Sequence, residues 1–180
     1  MTKYYTGAGD NGSTGILAAN RVSKSDELIE AIGSVDELNS SIGICLYYIR
    51  DEKVRNALKM MQNDLFVIGA NLASLSNPSI KKAIMEPGSV MRVEKAIAPL
   101  EAKLPELKQF VLPGGNEGAV HLHLARSIAR RAERRIVKVA ETRKLSDSVV
   151  AYMNRASAFL FVAALYLNYS EGIDEEHPSY

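Results

Sequence analysis

Apolar residues recur along most of the chain with the period of an amphipathic helix. Leu28, Ile32, Val35, Ile42, Leu46 and Ile49 predict a first helix, capped by Ser25 and carrying Asp26 and Glu27 in its first turn. Val54, Leu58, Met61, Leu65, Ile68, Leu72 and Leu75 alternate steps of four and three. This is the clearest bundle-type stripe in the chain, and it predicts a second helix from about Lys53 to Leu75. Gln62, Asn63 and Asp64 fall on its polar faces. Val90, Val93, Ile97 and Leu100 predict a shorter third helix behind a Ser89 cap, with Pro99 as a bend. Val120, Leu124, Ile128 and Ile136 predict a fourth from about Glu117 to Lys144. Val149, Met153, Ala156, Leu160, Ala163 and Leu167 predict a fifth. No segment reads convincingly as a strand or an internal repeat. The expected fold is all-α: a five-helix antiparallel bundle with a four-helix-bundle-like core and a ferritin-like up-down order.

Two irregular segments interrupt this pattern. In residues 1–24, Gly7, Gly9, Gly12 and Gly15 alternate with Thr6, Asp10, Asn11, Ser13 and Thr14. Such a loop can cradle phosphates with backbone N–H groups, or it can be a flexible arm. It is neither a Walker A loop nor a dinucleotide fingerprint, because the flanking residues those motifs need are missing. The second is Phe110-Val111-Leu112-Pro113-Gly114-Gly115, in which Phe110 is either a core residue or an exposed wedge. A length of 180 residues suits one domain, divided into an arm (1–24), a bundle (25–169) and a loose, acidic tail (170–180). Gly33, inside the first helix, suggests a close approach.

Composition narrows the function classes. The net charge of +1 argues against a general nucleic-acid binder. The single cysteine, Cys45, lies in an apolar helical pattern and reads as packed. The longest apolar run, Ala158 to Leu167, is short for a membrane span. A cytoplasmic protein without membrane or nucleic-acid partners is expected.

The fourth helix carries five arginines and one glutamate in the ten residues Arg126 to Arg135. Arg126, Arg130 and Glu133 share one face. A guanidinium stripe can bind phosphate, or it can be a solvated charged surface. Asp36 and Asn39 share a face of the first helix, where Asp36 could partner an arginine. A di-iron bundle is excluded, because its paired Glu-x-x-His motifs are absent. No Ser or Cys nucleophile has a base in view.

Five ordered blocks resemble the PduO-type ATP:cob(I)alamin adenosyltransferases. They are Tyr5 to Gly12; Gly33 to Asn39; Gln62 to Phe66; Phe110 to Gly115; and Arg126 to Arg134, followed by Tyr152-Met153-Asn154-Arg155. The resemblance implies a homotrimer with active sites between subunits. It implies ATP with Mg2+ and reduced cobalamin as ligands, and transfer of the 5′-deoxyadenosyl group to cobalt with release of triphosphate. On this resemblance, Thr6, Gly7, Ala8, Gly9, Thr14, Gly15, Lys24, Arg130, Glu133, Arg134 and Asn154 hold ATP. Asp36 and Arg126 pair across the subunit interface. Phe110 takes the lower corrin face, and Arg130, Phe110, Asp36 and Arg126 serve the reaction. No metal-ligating residue is assigned. Gly7 stands where the family usually has a basic residue, and Ala158 stands where it usually has aspartate. The alternative is a non-catalytic bundle that binds ATP or corrinoid as a sensor or carrier.

Overall fold

The computed structural model describes residues 4–17, 21–77, 79–80 and 84–179. Five helices follow a short hairpin: β1 (Ser13–Thr14), β2 (Val22–Ser23), α1 (Glu27–Tyr48), α2 (Glu52–Ser74), α3 (Ser89–Glu101), α4 (Glu117–Thr142) and α5 (Asp147–Ser170). The hairpin corrects the expectation of no strand. Its two antiparallel pairs, Ser13 with Ser23 and Thr14 with Val22, are too short to leave a period-2 pattern in the sequence.

The helix starts are chemically specified. Asp26, not Ser25, caps α1 and accepts from the Leu28 N–H at 2.8 Å. Asp51 accepts from Lys53 and Val54 to cap α2. Asn116 accepts from Ala119 at 2.8 Å to cap α4. At α3 the cap position is Gly88, left-handed with φ 89°, while the Ser89 hydroxyl donates back to the Glu86 carbonyl.

The helices alternate up and down. Four ion pairs tie α1 to α4: Glu37 with Arg131, Glu30 with Arg135 at 3.9 Å, Glu27 with Lys138 at 2.7 Å and Asp26 with Arg143 at 3.5 Å. As the α4 number rises the α1 number falls, so the two helices run antiparallel. These side chains are partly exposed, so each pair contributes about 0.2–1 kcal/mol at most. Their main effect is to fix register. Glu94 with Arg155 and Lys103 with Tyr166 set α3 alongside α5 in parallel. The arm and the N-termini of α1, α3 and α5 therefore share one end of the bundle. The loop carrying Phe110 and the C-terminal tail share the other.

The last helix is the most enclosed. Tyr152, Phe159, Leu160, Ala163 and Ala164 are fully buried, and Leu165 to Asn168 are buried on every side of the helix. Residues Asp147–Ser170 are long and apolar enough to cross a membrane, yet more than half of that stretch is enclosed by the bundle. It forms the core against α4 and α3. Cys45 is fully buried and burial pushes its thiol up to about 12.

Three further readings change. Asp64 is buried rather than part of a polar patch, and it binds Arg92 at 3.0 Å. The same arginine reaches Ser89 and Glu86, each at 3.0 Å. Burial and then the facing Asp64 carboxylate raise the Tyr152 phenol. Gly33 meets no described atom within 4 Å on its Cβ side, so it borders open space rather than a close approach. The tail is not loose. Leu112 N–H donates to the Glu176 carbonyl at 2.7 Å, and Asn168 donates to the Glu175 carboxylate at 3.0 Å.

Candidate active site

The glycine-rich arm folds into successive turns. Asp10 N–H reaches the Gly7 carbonyl at 3.1 Å, and Gly12 N–H reaches that of Gly9 at 3.2 Å. Gly7 and Gly12 have φ of 71° and 78°, which glycine adopts without strain. Thr6 Oγ1 accepts from Ala8 N–H at 3.3 Å. Arg21 holds this loop from behind. Its guanidinium donates to the carbonyls of Ala8 and Ser13 and to Ser13 Oγ. Lys24 joins through its backbone N–H to the Gly12 carbonyl at 2.9 Å. Its ammonium stands 3.1 Å from where a Cβ on Gly9 would be, so it lies along the glycine loop rather than alone in solvent.

Beyond the loop, the arm lies on α1 and α2 and encloses an apolar groove of about 590 Å³. Thr14 and Gly15 from the arm, Gly33 and Asp36 from α1, and Phe66 and Gly69 from α2 are among its lining residues. Phe66 is 71% exposed, which is unusual for so large an apolar ring.

A second polar surface runs along α4 and α5. Asn154 donates to Glu133 at 3.1 Å and accepts from Arg155 at 2.9 Å. Arg155 in turn binds Glu94 on α3 at 2.8 Å. Arg130 and Arg134 are exposed and make no ion pair or side-chain hydrogen bond with any described residue. One turn nearer the helix start, the Arg126 guanidinium lies 5.0 Å over the Phe161 ring. The same ring meets His123 edge-on at 6.1 Å. His123 is buried with an unpartnered Nε2, and burial, then Arg126, lowers its pKa. Burial, then Arg130, lowers that of Arg126, which nonetheless stays cationic at physiological pH.

The third part is the loop before α4. Phe110 is 77% exposed, which favours the wedge over the core residue. The turn behind it is clamped by Asn168, which is 1% exposed. That side chain accepts from Asn116 N–H at 3.1 Å and donates to the Gly114 carbonyl at 3.2 Å. Gly115 has φ 106°, and a Cβ there would stand 1.9 Å from Asn168 Oδ1.

The expected site residues thus fall into separate groups within one chain. Thr6, Gly7, Ala8, Gly9, Thr14, Gly15, Lys24 and Asp36 lie on the arm and the α1–α2 side. Arg126, Arg130, Glu133, Arg134 and Asn154 lie on the α4–α5 side. Phe110 lies at the far end. Asp36 and Arg126 make no ion pair within the chain. Among the described residues no group of three or more His, Cys, Asp or Glu could hold a metal ion. Arg21, Asn168 and Phe161 escaped the sequence reading. Arg21 sits in an aperiodic segment, and the other two look like ordinary members of an apolar helix.

The sequence profile of cobalamin adenosyltransferases matches residues 4–167. The chain belongs to the cobalamin adenosyltransferase family. A family relative in Bacillus subtilis, a corrinoid adenosyltransferase, is 39% identical over 177 residues, spanning 96% of this chain and 90% of its own. The cobalamin adenosyltransferase of Cupriavidus metallidurans is 40% identical over 173 residues, spanning 96% and 91%. Among solved structures, a variant PduO-type ATP:corrinoid adenosyltransferase from Lactobacillus reuteri, complexed with cobalamin and ATP, superposes with a TM-score of 0.92. It is 33% identical and covers 99% of this chain and 100% of its own. The five-helix architecture is therefore the family's fold.

Proposed function

We propose that this protein transfers the 5′-deoxyadenosyl group of ATP to the cobalt of a reduced corrinoid. The observation that carries this reading is the superposition, over nearly the whole chain, on an adenosyltransferase that holds both cobalamin and ATP. Cobalt(I) of the substrate supplies an electron pair to C5′ of ATP. The cobalt–carbon bond forms, the C5′–O bond breaks, and its electron pair leaves with triphosphate. No protein nucleophile is needed for this step.

The protein's part is placement and charge neutralisation. The Thr6–Gly9 turns and Lys24 receive the phosphates on one side. Arg130 and Arg134, without ion-pair partners among the described residues, neutralise them on the other, with Glu133 and Asn154 orienting the nucleotide. Magnesium bound to the triphosphate would add to the charge neutralisation that Lys24, Arg130 and Arg134 supply. It is supported by the polyanion's charge rather than by a protein cage. Phe110 presents an apolar ring to the lower corrin face.

The site is completed between subunits of a homotrimer. α1 spans 22 residues, or about 33 Å, so the arm and Phe110 of one chain sit at opposite ends of the bundle. A second copy supplies the missing half and lets Asp36 meet Arg126 of its neighbour. The test is to mix the protein with ATP, magnesium and chemically reduced cobalamin and follow the absorbance change to adenosylcobalamin. ATP binding without that product would overturn the assignment in favour of a carrier or sensor.

A further inference from the structure

We propose that the C-terminal tail is a positioning strap for Phe110, with His177 as its fastening residue. This rests on the corrin-face role of Phe110 given above. Phe110 is 77% exposed, so its own side chain contributes almost nothing to holding it in place. Its backbone is held instead from two sides. On the helix side, Asn168 fixes the turn at Gly114 and Asn116. On the tail side, Leu112 N–H donates to the Glu176 carbonyl at 2.7 Å, and His177 Nδ1 lies 2.8 Å from the Phe110 carbonyl.

A carbonyl oxygen only accepts, so the His177 Nδ1 carries the proton and donates. Asn168 also joins the two sides, because the amide that binds Gly114 donates to Glu175 of the tail at 3.0 Å. The tail, the end of α5 and the Phe110 loop are therefore joined in one hydrogen-bonded network. An exposed wedge held this way meets a flat ring at a fixed height and angle, and misplacement by even an ångström lowers the rate of such a reaction.

The experiment compares His177→Ala, His177→Asn and a chain ending at Asp174 with the full-length protein. Amide exchange across residues 110–116 and steady-state kinetics are read on each. Loss of the tail is expected to raise exchange at Leu112 by about tenfold. His177→Ala is expected to lower kcat and raise the corrinoid KM, together about fivefold in kcat/KM, while the ATP KM stays unchanged. Asn places an N–H donor where the imidazole Nδ1 stood, so His177→Asn is expected to recover most of the loss.

Unchanged exchange in the shortened chain would overturn the strap. So would His177→Asn behaving no better than His177→Ala, or variants that leave the corrinoid parameters untouched while the full-length protein turns over normally. A full-length protein that makes no adenosylcorrinoid would instead sink the proposed reaction, and the positioning role with it, whatever the exchange shows.

Discussion

Asn154 on α5 donates its amide to the Glu133 carboxylate on α4 across 3.1 Å, joining the two helices at their outer edge. Both residues belong to the proposed ATP surface, and Asn154 is exposed. Removing the amide at an exposed position costs little stability, about 0.5 kcal/mol. Asn154→Ala is therefore expected to raise the ATP Kd by roughly tenfold, with its melting temperature within a degree or two of the parent. Titration calorimetry with ATP, paired with a thermal melt, checks both halves. A destabilised variant with normal ATP affinity would make this contact structural.

Neighbouring arginines on α4 are expected to diverge. Arg130 has no ion-pair partner among the described residues, whereas Arg131 binds Glu37 and Arg135 approaches Glu30 at 3.9 Å. Arg130→Ala should lose at least about a hundredfold in kcat/KM with stability intact, since the proposed charge-assisted contact to phosphate is lost while no in-fold contact is. Arg131→Ala should keep its turnover and lose less than about 1 kcal/mol. Equal turnover in both variants would remove Arg130 from the site.

The helical part of the fold was legible because burial writes a period into the sequence. Leu58, Leu65 and Leu72 could be placed inside from spacing alone, and all three are fully or almost fully buried. The caps were only half legible. Ser25 and Asp26 are both good caps side by side, and only backbone geometry chooses between them. The site was harder. Periodicity put Arg126, Arg130 and Glu133 on one face but could not say that Arg126 rests on Phe161 while Arg130 stands free. Arg21 and Asn168 act on backbone carbonyls and amides, and those contacts leave no residue pattern at all.

Two halves in one chain predict complementation. Lys24→Ala damages the arm half and Arg130→Ala the α4 half. Each variant alone should be nearly inactive. If the variants are unfolded and refolded together, about a quarter of the sites in random mixed assemblies of the proposed trimer would combine two intact halves. Activity should reappear to roughly that level. A mixture as inactive as its parts would place the whole site within one chain.

Gly115 should not tolerate a side chain. Its φ of 106° and the 1.9 Å approach of Asn168 combine backbone strain with a clash against a buried hydrogen-bonded group. Gly115→Ala is expected to cost about 3 kcal/mol, read as a fall in the urea midpoint. A loss under about 1 kcal/mol would mean that the turn can rearrange.

Acid should weaken the bundle through His123. Burial, then Arg126, lowers its pKa in the folded state, so the unfolded chain binds the proton more readily. Stability is full above the ordinary histidine value of 6.5 and falls as pH drops from there toward the lower native value. Below that native value the loss is complete. Denaturant titrations of the parent and of His123→Gln between pH 7.5 and pH 5 should show the shallower acid loss in the variant. Parallel curves would show that other groups carry the dependence.

The sealed thiol of Cys45 gives the protein a clock of its own. A thiol held near 12 and closed to solvent does not react with alkylating reagents at neutral pH while the bundle is shut. It becomes reactive only when α1 lifts away. With no second cysteine to confuse the signal, the rate of its modification counts those openings directly in the unaltered chain.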